Sequence, residues 1–190
     1  MSLEKEITDY NDHITDIKHW TTLKGEYRYE IIIRFLKSKK IECSWANVTY
    51  YIKYDKRLLI NSFKYIVFLE ELYKSFVIKN KEVKIDDLKK YGFSKALEEY
   101  LSIGDNANYD DIDLELLRKE KNAIVAFRNK VVHNKVLLDL NYSCQKSLES
   151  ILNIFVKILP KSYREGFIKE INSSAKGIVD KSWHIELVNN

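Results

Sequence analysis

The stretch Asp55 to Ile78, DKRLLINSFKYIVFLEELYKSFVI, decides the fold class. Leu59, Phe63, Ile66, Tyr73 and Val77 recur in helical steps, and no alternation of apolar and polar residues runs through the segment. Such a run predicts a central helix on which shorter amphipathic helices bury their own stripes. One residue breaks the pattern. Glu70 sets a carboxylate inside the stripe, where it needs either an edge position open to solvent or a cationic partner, for which Arg128 is the candidate.

Helical spacing continues on both sides. Leu3, Ile7, Tyr10, Ile14 and Ile17 line a first helix, and Tyr27 to Lys37 reads as a second, although the run Ile31-Ile32-Ile33 suits a strand equally by propensity. A polar break follows near Lys39. Asp86 and Asp87 can cap a short helix reaching about Leu101, and SIGDNANYDDID, Ser102 to Asp113, is the clearest loop. From Asp113 a helix carries Leu114, Leu117, Ile124, Phe127 and Val131. Another runs from Ser143 to Leu159, where Pro160 stops it, and a weaker one spans Tyr163 to Ser173. The expectation is an all-α, compact bundle of about five to six helices, a single domain over residues 1–190, with the thirteen tyrosines at its margins and their hydroxyls in water.

Composition agrees. The 190 residues are 45% hydrophobic, enough for a sizeable core, and one proline and five glycines leave little material for the turns of an all-β fold. Cys43 and Cys144 form neither a disulfide framework nor a metal-ligand spacing, which suits a reducing compartment. With no leader-like or membrane-length apolar run, a cytoplasmic protein without membrane contact is expected. Lysine plus arginine number 32 against 28 aspartate plus glutamate, a net +4 that permits nucleic-acid binding without requiring it. The glycines are isolated, so no phosphate-cradling loop exists. His13, His19 and His184 lack the neighbours of a metal site, and no metal or cofactor is expected.

The chemistry-bearing stretch is FRNKVVHNK, Phe127 to Lys135. Arg128 and His133 are five residues apart, a rotation of about 140° and a rise of about 7.5 Å on an ideal helix, so they do not share a face, whereas Asn129 and His133 do. Two copies meeting across a two-fold axis would bring two arginines and two histidines together. Those are the parts of metal-free phosphodiester cleavage: imidazole moves a proton to or from a ribose oxygen, and guanidinium neutralises charge growing on the phosphate. The plainer reading is a helix terminus, where histidine, arginine and asparagine cap loose carbonyls.

The segment AFRNKVVHNKVL, Ala126 to Leu137, resembles the Arg-x4–6-His signature of HEPN-domain ribonucleases, in which a polar residue, often asparagine, follows the arginine. Upstream, Tyr54 to Lys74 is similar to a helix of the Abi-like abortive-infection proteins, with Asp55, Leu58, Glu70 and Lys74 at the matching places. The resemblance implies a homodimeric, metal-independent endoribonuclease of phage-defence, toxin–antitoxin or CRISPR-associated type, leaving a 2′,3′-cyclic phosphate and a 5′-hydroxyl. Arg128 would bind phosphate, His133 would act as acid or base, and Asn129 would orient them. Glu70 would support the arginine, and Lys130 and Lys135 would contact RNA. The alternative implied is a catalytically inactive HEPN module that binds RNA or a partner protein, such as a nucleotidyltransferase antitoxin or a CRISPR effector. Members silenced by AMPylation carry a tyrosine two residues after the histidine, and Lys135 stands there instead.

Overall fold

The computed structural model describes residues 2–81, 83–88, 90–104, 111–139, 146–176 and 183–188. Every regular element among them is helical, in more pieces than the five to six expected. A short α1 (Leu3–Glu6) and a 3-10 turn (Tyr10–His13) precede α2 (Ile14–Lys24), α3 (Glu26–Ser38) and the central α4 (Trp45–Lys81). Then come α5 (Ile85–Leu88), α6 (Phe93–Ser102), α7 (Leu114–Lys119), α8 (Lys121–Val132), α9 (Leu148–Ile158) and α10 (Lys161–Ser173). The start of the helix expected from Ser143, Cys144, and the middle of the expected loop at 102–113 lie outside the described residues.

At 37 residues, α4 is about 55 Å long and forms the axis against which α3, α6, α8 and α10 pack. It starts at Trp45 rather than Asp55 because two side chains satisfy its free N-terminal donors: Ser44 Oγ accepts from the Asn47 N–H (3.4 Å) and Asp9 Oδ1 from the Trp45 N–H (2.7 Å). The same contact breaks the expected first helix. With Asp9 turned toward α4 and the Thr8 N–H bonded to the Cys43 carbonyl, the chain is extended at Ile7, although Leu3, Ile7 and Ile17 are buried as their spacing predicts.

The buried line of α4 runs through Asp55, Leu58, Ser62, Tyr65, Leu69, Tyr73 and Val77, in steps of three and four. Phe63, expected in that stripe, lies one residue and about 100° away from Ser62 and is 44% exposed. Ile31, Ile32 and Ile33 settle as helix because α3 is enclosed and all three side chains are buried, so packing overrides strand propensity. In place of one long helix from Asp113, α7 and α8 are separated at Glu120, while Asp113 does cap α7 by accepting from the Leu116 N–H (2.8 Å).

The tyrosines are not confined to the margins. Tyr29, Tyr51, Tyr54, Tyr73 and Tyr100 are core residues, and two of them fasten the C-terminal segment: the Tyr51 hydroxyl donates to the Trp183 carbonyl (2.9 Å) and Tyr54 accepts from the Ile185 N–H (2.9 Å). Asn172 holds the same segment by both backbone groups of Leu187. Ile185 and Leu187 are buried as a result.

Candidate functional site

The site grows from how α8 ends. Helical order stops at His133, and Asn134 takes a left-handed φ of +53°, which asparagine tolerates better than most side chains. The Lys135 N–H then bonds the Lys130 carbonyl (2.9 Å) and the Asn134 N–H bonds that of Val131 (3.1 Å), the paired closure of a Schellman cap. The helix thus closes through its own backbone N–H groups, and this termination fixes where His133 stands.

The cap is anchored from outside. The Arg28 guanidinium donates to the Asn134 carbonyl, and Lys56 Nζ donates to Asn134 Oδ1 at 2.8 Å. Immediately beyond, the buried Asp55 carboxylate accepts from the N–H groups of Leu137 and Leu138 at 2.7 and 2.9 Å. Burial pushes Asp55 up to about 6, against the lowering effect of those two hydrogen bonds and of the Arg28 and Lys130 charges. Three side chains from two helices, α3 and α4, thus clamp the turn that carries His133. His133 itself is exposed, and its imidazole has no hydrogen-bond partner among the described residues.

One end of the motif is held differently. Arg128, on α8, donates from Nη2 to Glu70 Oε2 at 3.1 Å and from Nη1 to Asn129 Oδ1 at 3.3 Å, and its guanidinium lies 5.7 Å from the Phe93 ring centroid. Its Nε is buried without an acceptor. Lys74 Nζ also bonds Glu70, at 2.8 Å, one helical turn along α4. Burial alone would raise the Glu70 carboxyl, but the hydrogen bonds from Lys74 and Arg128 outweigh it and hold the group below its usual range. The expected pairing of Glu70 with Arg128 is therefore present, with Glu70 at the edge of the α4 stripe.

Arg128 and His133 are not bonded to each other, as their offset on one helix requires. Asn129 bridges only toward the arginine. Lys130, expected to contact RNA, has its side chain 12% exposed, with Nζ 3.9 Å from the Asp139 carboxylate. Lys135 is exposed. Among the described residues no three of His, Cys, Asp and Glu converge into a metal-holding group, and no helix is long and apolar enough to cross a membrane.

Replacing Glu70 with glutamine tests the support of Arg128. The variant is expected to lose about 1 kcal/mol of stability at pH 7. Because the folded-state carboxyl is held low, its contribution is present above the ordinary carboxylate range and fades as pH falls through the lowered value. Denaturant titrations of the two proteins should therefore converge in acid; a gap independent of pH refutes the ion-pair role.

Sequence reasoning missed the anchoring of Asn134 by Arg28 and Lys56, and the ring of Phe93 beneath Arg128, because these contacts join distant segments. The Glu70–Lys74 pair was legible from its i,i+4 spacing. A scan against protein-family models, a search of curated proteins and a search of solved structures return no match.

Proposed function

We propose that this chain is a HEPN-type endoribonuclease that works as a homodimer in the cytoplasm and cleaves RNA without a metal ion. The observation that carries the reading is the pairing of a free, exposed imidazole at His133 with a guanidinium at Arg128 that is pre-oriented by Glu70 on one helix end. In the reaction the ribose 2′-oxygen attacks phosphorus and the bond to the 5′-oxygen breaks. One imidazole removes the 2′-hydroxyl proton, a second protonates the leaving 5′-oxygen, and the guanidinium groups neutralise the phosphorane. Products are a 2′,3′-cyclic phosphate and a 5′-hydroxyl. Asn129 and Glu70 hold the guanidinium through its two terminal nitrogens.

Two imidazoles require two chains. Ile60, Phe63 and Val67 form an exposed apolar stripe on α4, at 57%, 44% and 37% exposure. Along α4 they fall between Lys56, which holds Asn134, and Glu70, which holds Arg128, so a second copy seated on the stripe would adjoin the α8 end. Exposed apolar area beside polar groups is the usual character of an association surface. Phe63→Asp should give a folded monomer by light scattering and reduce cleavage at least about tenfold; an active monomer contradicts the two-chain site.

A second reading draws on the closed state of Arg128, whose Nη1 and Nη2 are both engaged within the chain: a non-catalytic module that binds RNA or a partner protein such as an antitoxin. Incubating the purified protein with mixed RNA in EDTA separates the two. Cleavage lost in His133→Ala supports the ribonuclease, and retention of intact RNA supports the binding module.

A further inference from the structure

We propose that a cationic groove beginning at Asn134 and ending at Trp20 binds the backbone and one base of single-stranded RNA; it deepens the ribonuclease reading by giving the strand its path to His133. The first part of the groove, about 540 Å³, is lined by Lys24, Arg28, Lys53, Lys56, Arg57 and Asn134, together with Ile52. Five of these carry positive charge. No carboxylate lines the groove, and none pairs with any of the five within 4 Å among the described residues.

Such a cluster, in which only Arg28 feels a nearby carboxylate, the buried Asp55, is costly through self-repulsion on a chain whose net charge is only +4. Two of the five already grip the site, since Arg28 and Lys56 hold the residue next to His133. Arg57 adds a buried Nη2 with no acceptor, while its Nε donates to the Ser174 carbonyl at 2.6 Å. Positive charge and the helix end carrying His133 therefore meet in one concavity.

A second concavity of about 260 Å³ continues from the first, sharing Lys24, Ile52 and Lys53 and reaching Trp20. Trp20 is 40% exposed, and the Lys24 ammonium lies 4.4 Å from the centroid of its ring. A charged track leading to an exposed indole is what an unpaired strand needs: cations for successive phosphates and an aromatic surface for a base. A duplex keeps its bases stacked inside and cannot use the indole. A bilayer surface is flat at this scale and does not fill a concave groove.

The test uses the full chain and a 5′-fluorescein 2′-O-methyl oligouridine of about 12 nucleotides, a length in the range that one groove of this kind covers. Lacking a 2′-hydroxyl, the probe is not cut. Lys24→Ala/Lys53→Ala should weaken binding about tenfold and flatten the dependence of log K on log salt by about 1.4, near 0.7 for each phosphate no longer neutralised. The matched control, Lys84→Ala/Lys95→Ala, removes equal charge from a separate basic hollow lined by Lys84, Lys90 and Lys95, and should bind as wild type. Trp20→Phe should lower the indole quenching by the probe, and quenching as large as that of wild type overturns the role of Trp20.

Equal loss in the groove and control variants, wild-type binding by the groove variant, or equal affinity for a duplex overturns the proposal. So does preference for anionic phospholipid vesicles over the oligonucleotide. If the groove variant loses binding while no protein in the set cleaves RNA, the groove stands and the catalytic reading falls.

Discussion

His133→Ala is expected to lower the rate of RNA cleavage about a thousandfold, the scale on which a positioned acid or base contributes, and to leave the melting temperature within about 2 °C of wild type. The two halves of this result have separate causes. His133 is exposed and its ring bonds nothing in the described structure, so alanine removes no packing. The backbone bonds that close the helix, from Asn134 and Lys135, do not involve its side chain. Arg128 is a less discriminating position. Alanine there would leave Glu70 to Lys74 alone and uncover Phe93, lowering stability and activity together. Arg128→Lys keeps the charge but loses the planar fork that reaches Glu70 and Asn129 at once. A His133→Ala protein that is inactive because it is unfolded, visible as a lost cooperative transition, would refute the assigned role.

Asp55→Ala is expected to produce the largest loss of stability, about 3 kcal/mol at pH 5, because two buried backbone N–H groups lose their acceptor at about 1–3 kcal/mol each. The sign of its pH dependence follows from the raised carboxyl. Folding lifts Asp55 from 3.8 to about 6, so the group's stabilisation is complete below 3.8 and is lost as pH rises toward 6. Wild type should therefore gain roughly 1 kcal/mol between pH 8 and pH 5 that neither Asp55→Ala nor Asp55→Asn gains. The asparagine variant keeps an oxygen for both N–H groups, so it should stay closer to wild type than alanine at every pH. Urea titrations at the two pH values decide it; parallel curves for wild type and Asp55→Asn contradict a buried carboxyl titrating in this window. Activity should fall in Asp55→Ala too, because the released turn is the one that fixes His133.

These two residues also show what the sequence could and could not carry. The Arg128–Asn129–His133 spacing and the misplaced Glu70 were legible, since each is a local violation of an apolar helical pattern, and Glu70 does meet Arg128. The all-α class was legible for the same reason. Asp55 was visible only as a position in a motif, because the N–H groups it accepts from, those of Leu137 and Leu138, lie far along the chain. The contact of Lys130 with Asp139 was not legible: one residue from Asn129 on a helix turns a side chain by about 100°, enough to bring it toward that carboxylate. Phe63 illustrates the same sensitivity: Leu59, Ile66, Tyr73 and Val77 are buried as their spacing predicts, while Phe63, one residue from the buried Ser62, stands exposed on the candidate dimer surface. The groove from Asn134 to Trp20 was not readable at all, since its cations come from α2, α3 and α4 and converge only when those helices pack.

The most direct measurement compares an RNA strand with its 2′-O-methyl counterpart, each incubated with the purified protein in EDTA and analysed for end groups. The expected result is cleavage of the RNA to 2′,3′-cyclic phosphate and 5′-hydroxyl ends, absent in His133→Ala, with the methylated strand bound but intact. Intact RNA, cleavage of the methylated strand, or 5′-phosphate products would contradict attack by the 2′-hydroxyl at a site built from Arg128, Asn129 and His133.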